Sequence, residues 1–214
     1  MNILAVDTAL GACSAAVLMD GAVAAHRFVP MDRGHAEALA PMVEEAMQGI
    51  AFASLDRLAV TTGPGTFTGQ RVGLAFMRGL RIALKMPLVG VTSLATMAAQ
   101  AMDETGCVRA AALHDARRDE FYVEIAPGGA PAVMARADAA ALLADFDGAL
   151  AGTGAKLVDL PRATLSTVRQ PDALWVARMA LRMPAPQEVP HPLYLRAPDA
   201  KLPDAKLPGG KLPT

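Results

Sequence analysis

Aromatic residues are scarce, at 4% of the 214 residues with a single tryptophan. A core made without them must rest on Ala, Val, Leu and Met, and the apolar fraction of 53% is ample for that. A chain of this length buries about 70% of its unfolded surface, so one large domain or two small ones are expected. There are only two cysteines, Cys13 and Cys107, far apart and outside any Cys-x-x-Cys pattern. This excludes a disulfide scaffold or a zinc ribbon and fits a reduced, cytoplasmic chain. Neither charge sign is in excess: the net charge is −1, which gives no general attraction to nucleic acid or membrane. The apolar N-terminus lacks a basic leader and is interrupted by Asp7 and Asp20, so neither a signal peptide nor a membrane span is expected. No Gly-x-Ser-x-Gly elbow and no His-Glu-x-x-His helix is present, which leaves hydrolase chemistry without nucleophile or metal.

What stands out is Gly63-Pro-Gly-Thr-Phe-Thr-Gly-Gln-Arg-Val-Gly73. It follows an apolar run, Leu58 to Thr62, that reads as a buried strand. It leads into an apolar-periodic segment, Val72 to Leu84, that reads as a helix. Strand, glycine-rich loop and helix in that order are the usual setting of a phosphate or partner site. Thr68 is the expected cap of a helix beginning near Gly69. The loop is not a P-loop: three residues separate Gly65 from Gly69, and Gln70-Arg71 stands where Lys-Ser/Thr would be needed. The dinucleotide spacing fails as well, because its third glycine would fall at Thr68. Gly69 and Gly73 lie one turn apart on one helix face, where small residues let another backbone approach closely. That approach can come from inside the domain or from a partner helix.

The remaining pattern is α/β. Ile3 to Val6 reads as a buried strand ending in Asp7-Thr8, followed by strands Ser14 to Met19 and Ala22 to Phe28 about an Asp20-Gly21 hairpin turn. His35 to Met47 reads as a helix with Leu39, Met42 and Val43 on one face and Pro41 inside or at a break. Strand Leu88 to Val91 and a helix from Leu94, capped by Thr92-Ser93, complete a first lobe over residues 1–103. A smaller lobe over 104–197 has paired strands, Val108 to Leu113 and Glu120 to Ile125, around a charged loop. A short helix from Ala139, a strand at Ala149 and a helix from Pro171 to Met183 follow, the last with Trp175 as a core anchor. Repeated Lys-Leu-Pro after Ala200, at high proline density, predicts a flexible tail over 198–214.

Five stretches in order resemble the TsaB family of the Kae1/TsaD/TsaB group, within the actin–Hsp70–sugar kinase superfamily. They are the glycine loop, Ile3-Leu-Ala-Val-Asp7-Thr8, Gly34-His35-Ala-Glu37-Ala-Leu39-Ala-Pro41, Asp115-Ala-Arg117-Arg118-Asp-Glu-Phe-Tyr122, and Pro192-Leu-Tyr194-Leu-Arg196. The resemblance implies a two-lobed actin-like α/β fold with a reduced second lobe. It also implies a non-catalytic subunit that supports TsaD and the ATPase TsaE in forming N6-threonylcarbamoyladenosine at position 37 of tRNAs reading codons that begin with adenine. The catalytic relative carries His-x-x-x-His on the helix matching His35, and one turn's spacing lets both imidazoles reach one metal. Here Leu39 stands one turn after His35, in the place of the second histidine, so no metal site is expected.

On this resemblance the partner interface is expected at His35, Leu39, Met42, Thr68, Gly69, Arg71, Val72, Gly73 and Phe76. The same surface would support a homodimer when TsaD is absent. Contact with tRNA is expected only through the complex. No firmly bound cofactor is implied, and at most weak ATP or ADP binding at Asp7, Thr8, Gly63 and Gly65. The competing reading is a stand-alone actin-like ATPase or small-molecule kinase that holds Mg-ATP with Asp7 and the Gly63–Gly65 loop. A third is a packing module unconnected with tRNA.

Overall fold

In the computed structural model, the apolar opening becomes β1 (Ile3–Asp7), buried along its whole length. It pairs antiparallel with β2 (Ala12–Met19), which pairs antiparallel with β3 (Ala22–Pro30). Asp20 and Gly21 both take positive φ, 52° and 80°, the turn geometry that matches strand twist in a tight hairpin. Helix α1 (His35–Ala46) runs through Pro41 without a break. β4 (Arg57–Gly63) then pairs parallel with β1, α2 (Phe67–Leu84) crosses over, and β5 (Leu88–Thr92) pairs parallel with β4. The five-stranded sheet has the order β3-β2-β1-β4-β5.

After α3 (Ser93–Thr105) the plan repeats. β6 (Ala110–Asp115), β7 (Glu120–Ala126) and β8 (Ala132–Ala135) form an antiparallel meander. Helix α4 (Arg136–Leu142) leads to β9 (Ala149–Ala151), parallel to β6, and β10 (Thr164–Leu165) pairs parallel with β9. The order β10-β9-β6-β7-β8 is that of the first sheet with each strand advanced by five. This is the duplicated α/β architecture of the actin-like superfamily, and its second copy is reduced. The 18-residue α2 has only a 3-10 turn, Thr153–Leu157, as its counterpart.

The two halves exchange helices. In α3, Leu94, Met97, Ala98 and Ala101 pack on Ala110, Ala112, Ala149 and Ala151 of the second sheet. In the last helix, α5 (Ala173–Arg182), Ala173, Val176, Ala177 and Ala180 pack on Ile3, Ala5, Ala16, Leu18 and Ala59 of the first. Strand alternation sends Leu4, Val6 and Val60 to the other face, under Leu39, Val43, Leu74 and Met77. The α5 stripe is made of small residues, so Trp175 is not the core anchor its size predicts. It is half-buried, with the Arg178 guanidinium 4.5 Å over its ring. Buried Arg57 closes the end of α5 by donating to the Ala180 and Met183 carbonyls. The structure describes residues 1–196, and the tail expected over 198–214 lies outside them.

Candidate functional site

The glycine loop is seated on the end of β1. Gly63 has φ 103°, a value costly for any residue with a Cβ. A Cβ on Gly65 would lie 2.2 Å from the Ala9 carbonyl oxygen, so only glycine lets the loop approach that close. Thr66 N donates to the same oxygen at 2.9 Å, and Ser93 Oγ donates to the Pro64 carbonyl at 2.5 Å. The helix cap is Thr66, whose hydroxyl accepts from Gly69 N at 3.0 Å. The expected cap, Thr68, is already in the first turn of α2, which begins at Phe67.

Thr8 joins the two motifs. Its hydroxyl donates to the Gly69 carbonyl at 2.7 Å and accepts from Gly73 N at 3.0 Å. Those two groups define one rung of α2, and the hydroxyl occupies that rung. A Cβ on Gly73 would be 2.7 Å from Thr8 Oγ1, and one on Gly69 would be 2.3 Å from the Thr8 carbonyl oxygen. The close approach permitted by Gly69 and Gly73 is therefore filled from within the chain, and both glycines are buried. Their expected place on the partner surface is corrected accordingly. Gln70, which the sequence reading passed over, is also buried and covers Gly63.

Asp7 is fully buried. Its Oδ1 accepts from Thr61 Oγ1 and from Ala9 N, and its Oδ2 has no hydrogen-bond partner among the described residues. Burial pushes its carboxyl up to about 7, opposed by the bonds from Thr61 and Ala9 and aided by the nearby Asp172. The open space lies beyond it. A cleft of about 740 Å³ between the two lobes is lined by Leu10, Gly11, Gly65 and Thr66 on one side and by His114, Asp115 and Arg117 on the other. Burial lowers His114 to about 4, against the pull of Asp115, so the imidazole on this wall is neutral at physiological pH. Of the four residues expected to meet a nucleotide, Gly65 alone is on the cleft lining. Asp7 and Thr8 are sealed behind it, and Gly63 lies under Gln70.

The outward face of α1 and α2 has a different cast from the one expected. His35 is buried, with Nε2 3.0 Å from the Leu10 carbonyl, and Leu39 and Met42 belong to the core beneath α1. The apolar stripe that reads as an interface is thus the one that covers the sheet. Thr68 and Arg71 are exposed, and Val72 and Phe76 are half-buried. Beyond them, Ala75, Gly79 and Ile82 carry the outer stripe down α2, with Ile82 71% exposed and open space around Gly79. Along α1, on the side of α2, runs a groove of about 630 Å³ lined by Pro41, Val43, Glu44, Glu45 and Phe52, with Phe76 its one side chain from α2. No group of three or more His, Cys, Asp or Glu side chains among the described residues is arranged to hold a metal, and no described helix is long and apolar enough to cross a membrane.

Duplicated lobes, exchanged helices and a glycine loop locked on Asp-Thr define an actin-like α/β protein. The family model described as TsaD, tRNA N6-adenosine threonylcarbamoyltransferase, matches residues 28–163. The tRNA threonylcarbamoyladenosine biosynthesis protein TsaB of Escherichia coli is 41% identical over 124 residues, 57% of this chain and 53% of that protein. The match thus spans about half the length of that relative. An uncharacterized protein of Mycobacterium tuberculosis is 38% identical over 94% of each chain. A crystal structure of YeaZ from Pseudomonas aeruginosa superposes with a TM-score of 0.74 at 31% identity, over 84% of this chain and 91% of that one. The chain belongs to the TsaD family, on its TsaB branch.

Proposed function

We propose that this chain is the non-catalytic partner subunit of a threonylcarbamoyl-transfer complex, acting with a TsaD-type transferase and a TsaE-type ATPase to form N6-threonylcarbamoyladenosine at position 37 of tRNA. The observation that carries this reading is the outer face of α2. Ala75, Gly79 and Ile82 make a small, apolar, exposed stripe beside the α1–α2 groove, and Gly79 has nothing within 4 Å of where its Cβ would be. A partner helix can approach such a stripe closely. The partner is the transferase, because the family whose model matches this chain provides related α1 and α2 helices, and related faces pack on one another. In the absence of the transferase the same face pairs two copies of this chain. The tRNA is met through the complex, in the cytoplasm, and weak ATP or ADP binding belongs to the interlobe cleft rather than to Asp7.

The test uses Gly79→Arg and Ile82→Asp, which change the stripe and leave the core alone. The expected result is normal folding, loss of co-purification with the organism's TsaD, and loss of threonylcarbamoyl transfer to unmodified tRNA in the reconstituted mixture. Normal binding and transfer by both variants would remove α2 as the interface. ATP turnover by the isolated chain would support the kinase-like alternative instead.

A further inference from the structure

The turn between β6 and β7 has an unusual backbone. Arg117, Arg118 and Asp119 all have positive φ, at 62°, 55° and 60°. Three consecutive side-chain-bearing residues in the left-handed region persist only where their surroundings over-determine them. Some of that support is local. Ala116 N donates to the Glu120 carbonyl, Glu120 N to the Arg117 carbonyl, and Arg117 N to Asp115 Oδ1. On the far side, Arg136 N donates to the Asp119 carbonyl.

The rest comes from a distant part of the chain. Arg196 donates to the Ala116 carbonyl at 3.1 Å and is paired with the Glu120 carboxylate, so one guanidinium straddles the base of the turn. Arg196 belongs to a strap, residues 190–196, that is pinned to the first lobe at Pro190, Leu193 and Tyr194. Pro190 packs over Gly90 of β5, and its carbonyl accepts from Arg78 Nη2 at 2.5 Å. Leu193 N donates to the Thr62 carbonyl at 2.8 Å, at the end of β4. The Tyr194 ring stacks on Phe67 with centroids 6.0 Å apart, its hydroxyl accepts from Arg71 Nε at 2.8 Å, and the Arg71 guanidinium lies 3.5 Å over Phe67.

We infer that residues 190–196 are a tie that holds the charged wall of the cleft in its left-handed form from the start of α2. Asp115, Ala116 and Arg117 line the cleft, and the strap fixes their position relative to Phe67 and Arg71 of the other lobe. The start of α2 and this wall therefore move as one piece. This gives the Pro192-Leu-Tyr194-Leu-Arg196 and Asp115–Tyr122 motifs a joint role. They are the two halves of one clasp, although the paired residues Glu120 and Arg196 are 76 positions apart in the sequence.

Hydrogen exchange by mass spectrometry on the full isolated chain tests this. Arg196→Ala is expected to speed exchange of the Ala116 and Glu120 amides about tenfold, the loss associated with a charge-assisted hydrogen bond. Tyr194→Ala is the decisive variant, because its contacts are with Phe67 and Arg71 and not with the turn. It is expected to speed the same amides about threefold or more, while those of β1 and β2 keep their wild-type rates. Unchanged exchange at the turn in Tyr194→Ala would overturn the tie, and so would equal acceleration throughout the chain. No transferase or tRNA enters the experiment, so the result stands apart from the proposed function.

Discussion

Replacing Asp7 by Asn removes a carboxyl that the fold keeps away from water. Its folded value is about 7 against an ordinary 3.8, so between those limits the folded chain holds a proton that the unfolded chain has released. Stability therefore falls as pH rises from about 4 to about 7 and levels off above that. The gap corresponds to roughly 4 kcal/mol lost once the carboxylate is ionised. Asn keeps an acceptor for Thr61 and Ala9, and its amide takes the place of the unpartnered Oδ2. Leaving that amide unsatisfied costs about 1–3 kcal/mol, so Asp7→Asn is expected to be about 1–3 kcal/mol more stable than the parent at pH 8. At pH 4 it is expected to be no more stable than the parent. His114 works the other way, because its lowered value withdraws stability as pH falls from 6.5 toward 4. The difference between variant and parent cancels that contribution. Urea melts at half-unit pH steps from 4 to 8 give the difference curve directly. A flat curve would refute the assignment of a protonated, desolvated Asp7. The kinase-like reading requires Asp7 ionised and in contact with Mg-ATP. A sealed carboxyl predicts instead that Asp7→Asn supports tRNA modification in the reconstituted complex as well as the parent does.

Two further predictions separate interior from surface on α2. Thr66→Ala is expected to cost about 1 kcal/mol through the lost cap, and Thr68→Ala less than about 0.5 kcal/mol, both read from urea midpoints. Gly73→Ala places a methyl 2.7 Å from Thr8 Oγ1 and is expected to cost about 1–3 kcal/mol. Gly79→Ala meets nothing and is expected to stabilise by up to about 1 kcal/mol through helix propensity. Equal effects at the two glycines in thermal melts would contradict the Thr8 rung.

Much of the fold was legible because period and punctuation report it. The continuous apolar run of β1, the Asp20-Gly21 turn and the 3.6-residue repeat of α2 each declare their element type. What periodicity does not declare is which body an apolar face meets. Leu39 and Met42 look the same to a sequence reading whether they cover their own sheet or a partner, and only the strand beneath α1 decides for the sheet. The same limit applied to Gly69 and Gly73, where the approaching group is Thr8 of the same chain, 61 residues from Gly69. Very short elements were hidden too. The four residues of β8 and two of β10 are below the length at which alternation can be recognised, so the second sheet's repetition of the first could not be read from its edges.

The Asp-Thr and glycine-loop motifs illustrate what this costs a functional reading. Taken separately, Asp7-Thr8 suggests phosphate and Gly69-x-x-x-Gly73 suggests a partner. Together they form a joint in which one hydroxyl serves two backbone groups of a helix and one carboxyl is sealed behind it. A joint of this kind fixes the angle at which α2 leaves the sheet, and with it the direction in which Ala75, Gly79 and Ile82 face. The two motifs thus act on the partner surface without lying on it. That is why substitutions at Gly73 and at Gly79 should both weaken partner binding, the first with loss of stability and the second without.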